Sequence, residues 1–339
     1  NQMLYITTKS AETTYTSHVV LTTELAPDGG RFIPFRIPKY SHDEIFALKE
    51  TSFNQAIADI LNAFFSCRLS EWDVECCIGK SAMRLVPMNH KIVISELWHN
   101  PQANFSYVTQ WLYAKLVDGS ADRAKPTEWF QSAVIIAVLF GTYGQMLQQE
   151  CIGEDDCFDV SVEADDFLSP MAVWYTRKMG LPIRTIICSC EEDGTIWDFI
   201  HKGNLPTNTV SVKLSLGLEK LICSTIGYDA VAQFRDICSQ GRVFSLDEET
   251  LPLLNDSLFC TVMGKNRSSS VVNSIFRSNG YLIDPETALC YGGVQDYRAS
   301  TGNSNFTLML ARRTPLDFSD DISRATGIAE ETLVDYIKL

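Results

Sequence analysis

Residues 158–188, FDVSVEADDFLSPMAVWYTRKMGLPIRTIIC, decide the fold. Phe158, Val160 and Val162 alternate as in a strand, and the run ends at Glu163. A helix is predicted over residues 170–179. It is halted by Gly180, with Pro182 beyond, because glycine accepts the backbone turn that closes a helix and proline cannot continue one. Residues 183–188 read as a second strand. Strand, helix and strand in this order predict an α/β fold with a parallel sheet and crossover helices.

Outward from this unit, residues 91–98 read as a strand, 127–147 as a long buried helix, and 306–311 as a late strand. A final helix is predicted after Gly327, with Ile328, Leu333, Val334 and Ile337 on its inner face. Residues 1–90 read as a compact, mostly helical unit. Ser41-His42-Asp43-Glu44 and Ser52-Phe53-Asn54-Gln55 both fit the capping box, in which a serine and a Glu or Gln three residues on satisfy each other's backbone N–H groups. After the second box, Phe53, Ile57, Ile60, Leu61, Phe64 and Phe65 repeat at helical spacing, which marks a core face. Ser70-Glu71-Trp72-Asp73 is a weaker start signal for a third helix. There is no internal repeat and no low-complexity linker.

The 339 residues are 45% hydrophobic and 21% charged, an ordinary globular composition. The formal charge of −14, with no run of Lys and Arg, argues against nucleic acid or an anionic membrane as partner. The longest apolar run, residues 133–140, is too short to span a bilayer and reads as a buried helix. The start, Asn1-Gln2-Met3-Leu4-Tyr5, lacks a basic region followed by an apolar one, so a cytoplasmic protein is expected. Eleven cysteines at irregular spacing, with no C-x-x-C pair, argue against zinc and for reduced thiols. No metal site is expected.

Four segments, in order, resemble threonine synthases. Leu25-Ala26-Pro27-Asp28-Gly29-Gly30-Arg31-Phe32-Ile33-Pro34 is similar to the family's L-A-P-D-G-G-L-Y-V-P, and follows Tyr5-Ile6-Thr7-Thr8-Lys9, similar to its Y-x-S-T-R. Residues 96–107, ELWHNPQANFSY, resemble E-L-F-H-G-P-T-x-A-F-K-D, the segment whose lysine holds pyridoxal phosphate. Residues 162–183 resemble V-P-T-G-N-F-G-x-x-x-A-G-Y-Y-A-K-K-M-G-L-P-I. Asp284-Pro285-Glu286-Thr287-Ala288 resembles D-P-H-T-A, with Thr314-Pro315-Leu316-Asp317-Phe318 similar to a later S-P-x-K-F. The resemblance implies an amino-terminal threonine-synthase-type domain over 1–90. It implies a reduced large domain of a fold-type-II pyridoxal phosphate enzyme, of the tryptophan-synthase-β-like kind, over 91–339. The family's small domain, with its S-G-D-T-G loop, has no counterpart between about residues 116 and 126, a stretch too short for a βαβ layer.

The departures fall on the chemistry that the resemblance would imply. Ser106 stands at the lysine position and cannot form an imine. Tyr107 stands at the following Asp. The phosphate turn T-G-N-F-G corresponds to Ala164-Asp165-Asp166-Phe167-Leu168. This puts two carboxylates where a dianion would lie; at an effective dielectric of ~20 one like-charge pair at ~4 Å costs about 4 kcal/mol. Loss of both glycines removes the freedom that lets backbone amides converge on a phosphate. Arg312 falls at the hydroxyl position near the ring nitrogen.

No cofactor is therefore expected, and the chain reads as a pseudoenzyme with a binding, regulatory or assembly role. Losing a domain exposes a former interface, so self-association or a protein partner is expected. The alternative is altered chemistry on an amino acid or related small molecule in the old cleft, with His99, Ser106, Asp166, Thr287 and Arg312 as cleft residues. A third reading is a working threonine synthase. His99 and Glu96 read as structural. Glu163 with Asp165 and Asp166 could hold a cation only if the three converge, and Ser106 could be a nucleophile only with a base beside it.

Overall fold

Three serines open helices of the amino-terminal unit. Ser41 begins α2 (His42–Phe46) and Ser70 begins α4 (Glu71–Ile78), each with both halves of the capping box formed. Ser52 begins α3 (Phe53–Phe65) and accepts from the Gln55 amide, while the Gln55 side chain turns to Asp59 instead of closing a box. The structure, a computed structural model, describes residues 2–80, 83–98, 105–117, 119, 125–191 and 194–337. Before α2 lie β1 (Leu4–Thr7), β2 (Tyr15–Thr16), α1 (Ser17–Thr22) and β3 (Phe32–Pro34). The three strands form an antiparallel sheet in the order β2-β1-β3. These strands are too short to show a two-residue period, so the reading of this unit as mostly helical missed its sheet.

The turn entering β3 needs its glycines. Gly29 has φ of 76°, and the Gly30 amide donates to Asp28 Oδ1 at 2.7 Å. Asp28 Oδ2 accepts from Thr7 Oγ1 at 2.7 Å, which ties the turn to β1.

Next come β4 (Arg84–Met88), β5 (Ile92–Glu96), α5 (Phe105–Val117), α6 (Glu128–Gln148), β6 (Phe158–Glu163), α7 (Leu168–Met179) and β7 (Ile183–Glu191). They are followed by α8 (Thr195–Lys202), β8 (Asn204–Pro206), α9 (Val212–Thr225), α10 (Tyr228–Ser239), β9 (Val243–Ser245) and α11 (Leu251–Asn255). The last elements are β10 (Leu258–Met263), α12 (Lys265–Asn279), α13 (Pro285–Thr301), β11 (Thr307–Ala311) and α14 (Ser319–Thr326). Six strands form one sheet in the order β10-β7-β6-β11-β5-β4, all parallel except the antiparallel edge strand β4. This is the predicted α/β architecture. Strand β8 pairs with β9 apart from it.

Both faces of the large sheet are covered. Alternate residues serve two cores, as the pleat requires. Val160, Val162, Ile186, Leu308 and Leu310 join the larger core with α3, α6 and α7. Ile92, Ile94, Ile187 and Met309 join the smaller one with α12, α13 and α14. Helix α6 is apolar enough and long enough to cross a membrane, yet it lies buried at the centre of the larger core.

The predicted last helix is not an α-helix. Gly327, at φ 76°, ends α14 instead of preceding a new helix, and residues Glu330–Tyr336 form 3-10 turns. Leu333 is buried as expected, but Val334 is 50% exposed. The tighter 3-10 repeat places i and i+3 on one face and turns i+1 outward.

Candidate functional site

Strands β5, β6 and β11 run parallel, so their carboxyl ends lie together at one edge of the sheet, where α/β folds place their sites. Three connections leave from there. The segment after β5 leads to α5, residues 164–167 lead to α7, and Arg312 follows β11. The Phe105 amide donates to the Arg312 carbonyl at 3.0 Å, and the Arg312 guanidinium lies 5.6 Å from the centre of the Phe105 ring. The start of α5 is thereby fixed to the end of β11.

The turn into α7 is built on acids. The Ala164 amide donates to the Ser189 carbonyl at 3.0 Å, and the Phe167 amide to the Ala164 carbonyl at 3.1 Å. Phe167 is fully buried and adopts φ of 59°, a conformation that costs a non-glycine residue about 1 kcal/mol or more and is here held by packing. Asp166 Oδ1 accepts from the Leu168 amide at 3.0 Å, so a carboxylate of the chain itself satisfies the first amide of α7. Helix α9 presses on the same turn: a Cβ at Gly217 would lie 2.4 Å from the Asp166 carbonyl oxygen.

Between these connections is a cavity of about 10 Å³, lined by residues that include Leu97, Phe105, Glu163, Cys290 and Arg312. That volume holds one water at most, roughly 10–15 Å³ being the minimum. The acids around it are strongly perturbed. Burial pushes Glu163 up to about 8, with Glu286, Asp284 and Asp165 adding to the effect and Arg312 opposing it. Burial likewise raises Asp284 to about 6, although the Thr287 hydroxyl and amide favour its charged form. Asp165 is raised by burial and then by its neighbour Asp166.

The predicted cleft residues are only partly brought together. Arg312 lines the cavity, and Ser106 is an exposed residue on the first turn of α5, directly after the lining Phe105. Thr287 is committed elsewhere: its amide and hydroxyl donate to Asp284 at 2.9 and 2.5 Å, which caps α13. Asp166 is exposed and lines a different cleft. His99 lies outside the described residues. Glu96 is buried beside the Arg84 guanidinium at 3.6 Å, and burial outweighs that cation to push its carboxyl up to about 7. Phe105 and Cys290 are cavity residues that sequence reasoning did not single out; both are apolar or weakly polar and carry no signal beyond core periodicity.

Comparison with known proteins points one way. Residues 4–82 match the family described as threonine synthase N terminus. The chain is 23% identical over 160 residues to human Threonine synthase-like 1, an alignment covering 43% of this chain and 21% of that protein. It is 22% identical over 180 residues to threonine synthase of Pseudomonas aeruginosa, covering 50% of this chain and 38% of that one. The chain thus spans well under half the length of the curated relatives it matches. Among solved structures it is similar to pyridoxal phosphate-bound threonine synthase of Brucella melitensis. There the TM-score is 0.81 at 17% identity, covering 96% of this chain and 92% of the other. Yeast threonine synthase gives 0.78 at 15% identity, covering 95% and 89%. The fold is that of the threonine synthases.

Proposed function

We propose that this threonine-synthase-like chain has a dismantled cofactor site and serves as a binding, regulatory or assembly protein. The observation that carries this reading is the cavity of about 10 Å³ among Phe105, Glu163 and Arg312, next to the Ser106 position. A pyridine ring with its phosphate needs a site of roughly 300 Å³, the lower end of the range for small-molecule pockets. Two further features support it. The residue at the lysine position is a serine. The Leu168 amide at the amino end of α7 already donates to the Asp166 carboxylate. The residues present do not fit pyridoxal phosphate, and no reaction step is derived through it.

The expected result of adding pyridoxal phosphate is a spectrum without the band near ~410–420 nm that a lysine-bound cofactor gives. A band that borohydride traps on a lysine would overturn the reading and favour a working threonine synthase.

Residues 118–127 separate α5 from α6. Apolar surface nearby supports a covered face: Tyr107 stacks on Trp111 along α5 at 6.3 Å, and Trp72 on the adjoining α4 is 67% exposed. Self-association or a protein partner at this face is the expected state. Light scattering coupled to gel filtration checks it; a monomer that loses nothing on Trp72→Ser and associates with no co-purified protein would count against it.

A further inference from the structure

A cleft of about 300 Å³ lies beside the α7 turn: Asp166 of that turn lines it, whereas Glu163, at the end of β6, lines the smaller cavity. Glu24 and Arg31 come to it from the amino-terminal unit, Glu128 from the start of α6, and Lys213 from α9. Its wall is an ion cluster. Arg31, largely buried, holds Nη1 3.2 Å from Glu24 Oε1 and 3.6 Å from Glu128 Oε2. Lys220, more buried still, meets Glu128 Oε1 at 2.5 Å. Glu24 also accepts from the Glu128 amide at 3.1 Å. Both glutamates are therefore committed.

The Arg31 guanidinium is only partly committed, through Nη1. Arg31 Nε is buried and has no acceptor among the described residues. Such an orphan donor costs about 1–3 kcal/mol and leaves the Arg31 charge short of acceptors. Two further charges remain available at the surface. Asp166 commits only Oδ1, to the Leu168 amide, and Lys213 is exposed and makes no ion pair among the described residues.

We propose that this cleft binds a small zwitterion of amino-acid size, its carboxylate taken by Arg31 and Lys213 and its ammonium by Asp166. The charges decide the class. Arg31, Lys213 and Lys220 stand against Glu24, Glu128 and Asp166, so the wall is already balanced. A net anion or cation would unbalance it, whereas a zwitterion adds charge in matched pairs. The volume is at the lower end of the ~300–1,000 Å³ usual for small-molecule sites, which favours a short side chain. The ligand would bridge the amino-terminal unit, α9 and the α7 turn, and so stabilise their packing. This site shares no lining residue with the smaller cavity, and the inference stands whether or not that cavity takes a cofactor.

Isothermal titration calorimetry of the full chain with L-serine and L-glutamine tests it, beside their N-acetyl and carboxamide derivatives. The free amino acids are expected to bind, and blocking either end is expected to weaken binding at least ~10-fold. Lys213→Met, at an exposed position, and Asp166→Asn, which keeps a side-chain oxygen for the Leu168 amide, are each expected to weaken it ~10-fold with little change in the melting temperature without ligand. No heat up to about 10 mM, blocked forms binding as well as free ones, or variants that bind like the parent would each overturn the proposal. Binding without a ~410–420 nm band separates this outcome from any failure of the cofactor reading.

Discussion

Trp129→Ala is expected to cost about 3–5 kcal/mol of folding stability, the range for removing a large aromatic from a core. Trp129 is the pin between the amino-terminal unit and the sheet. Its ring meets Tyr5 of β1, Phe64 of α3 and Tyr175 of α7 edge-on, at centroid distances of 5.9, 5.5 and 5.2 Å. Its Nε1 donates to the Tyr5 hydroxyl at 3.1 Å, which in turn donates to the Phe64 carbonyl at 2.5 Å. The Lys220 ammonium lies 5.7 Å from the ring centre. Removing the indole leaves a cavity, strips the buried Tyr5 hydroxyl of a donor, and loosens a cation that also neutralises Glu128. Against a total of about 5–15 kcal/mol the loss is large, and urea denaturation should show it as a much lower midpoint. Trp72→Ala, on the surface, should change stability by less than about 0.5 kcal/mol. Equal effects at the two positions would mean that the aromatic cluster does not join the two units.

The second large effect depends on pH. Glu163→Gln is expected to stabilise the protein increasingly as pH rises. The folded carboxyl titrates near 8, against an ordinary value of 4.5. A raised acid contributes stability that is fully present below the unfolded pKa and is lost as pH rises through the folded one. The window is therefore 4.5 to about 8. Within it the folded protein keeps a proton that the unfolded chain has released. Glutamine stays neutral and avoids that loss. The variant should match the parent near pH 5 and exceed it at pH 9 by about 2 kcal/mol. This figure is discounted from the full shift because Glu163 is only partly shielded from solvent. Chemical denaturation at the two pH values measures it; a constant difference would show that Glu163 does not titrate where its surroundings place it.

Much of the sheet could be read from residues 158–188, because β6 and β7 combine alternation with length and the glycine after α7 is unambiguous. The observed elements are longer than predicted at two ends. Helix α7 starts at Leu168, held by the Asp166 carboxylate, and β7 runs on to Glu191 beside β10. The edge strand β4 was missed because Pro87 interrupts it, and proline is tolerated only where a strand lacks a partner on one side. The site was less legible than the fold. Ser106, Asp165 and Asp166 stood out by residue type alone. The small volume of the cavity beside Phe105 depends on how Leu97, Phe105, Glu163 and Arg312 pack together, and no spacing encodes that. The Arg31, Glu128 and Lys220 cluster joins three distant parts of the chain, and only the folded packing shows why an arginine follows the Pro-Asp-Gly-Gly turn.

The position of β11 has a consequence for how the protein is made. Thr307 pairs with Ile92 on one side and Asp159 on the other, so a late segment sits between two early ones. During synthesis β5 and β6 emerge long before the strand that separates them. Their facing backbone edges stay open for most of translation, and such edges are templates for pairing with other chains. Non-local closure of this kind is slow. A nascent chain stalled before residue 307 should therefore be the most aggregation-prone species on the path to the folded protein.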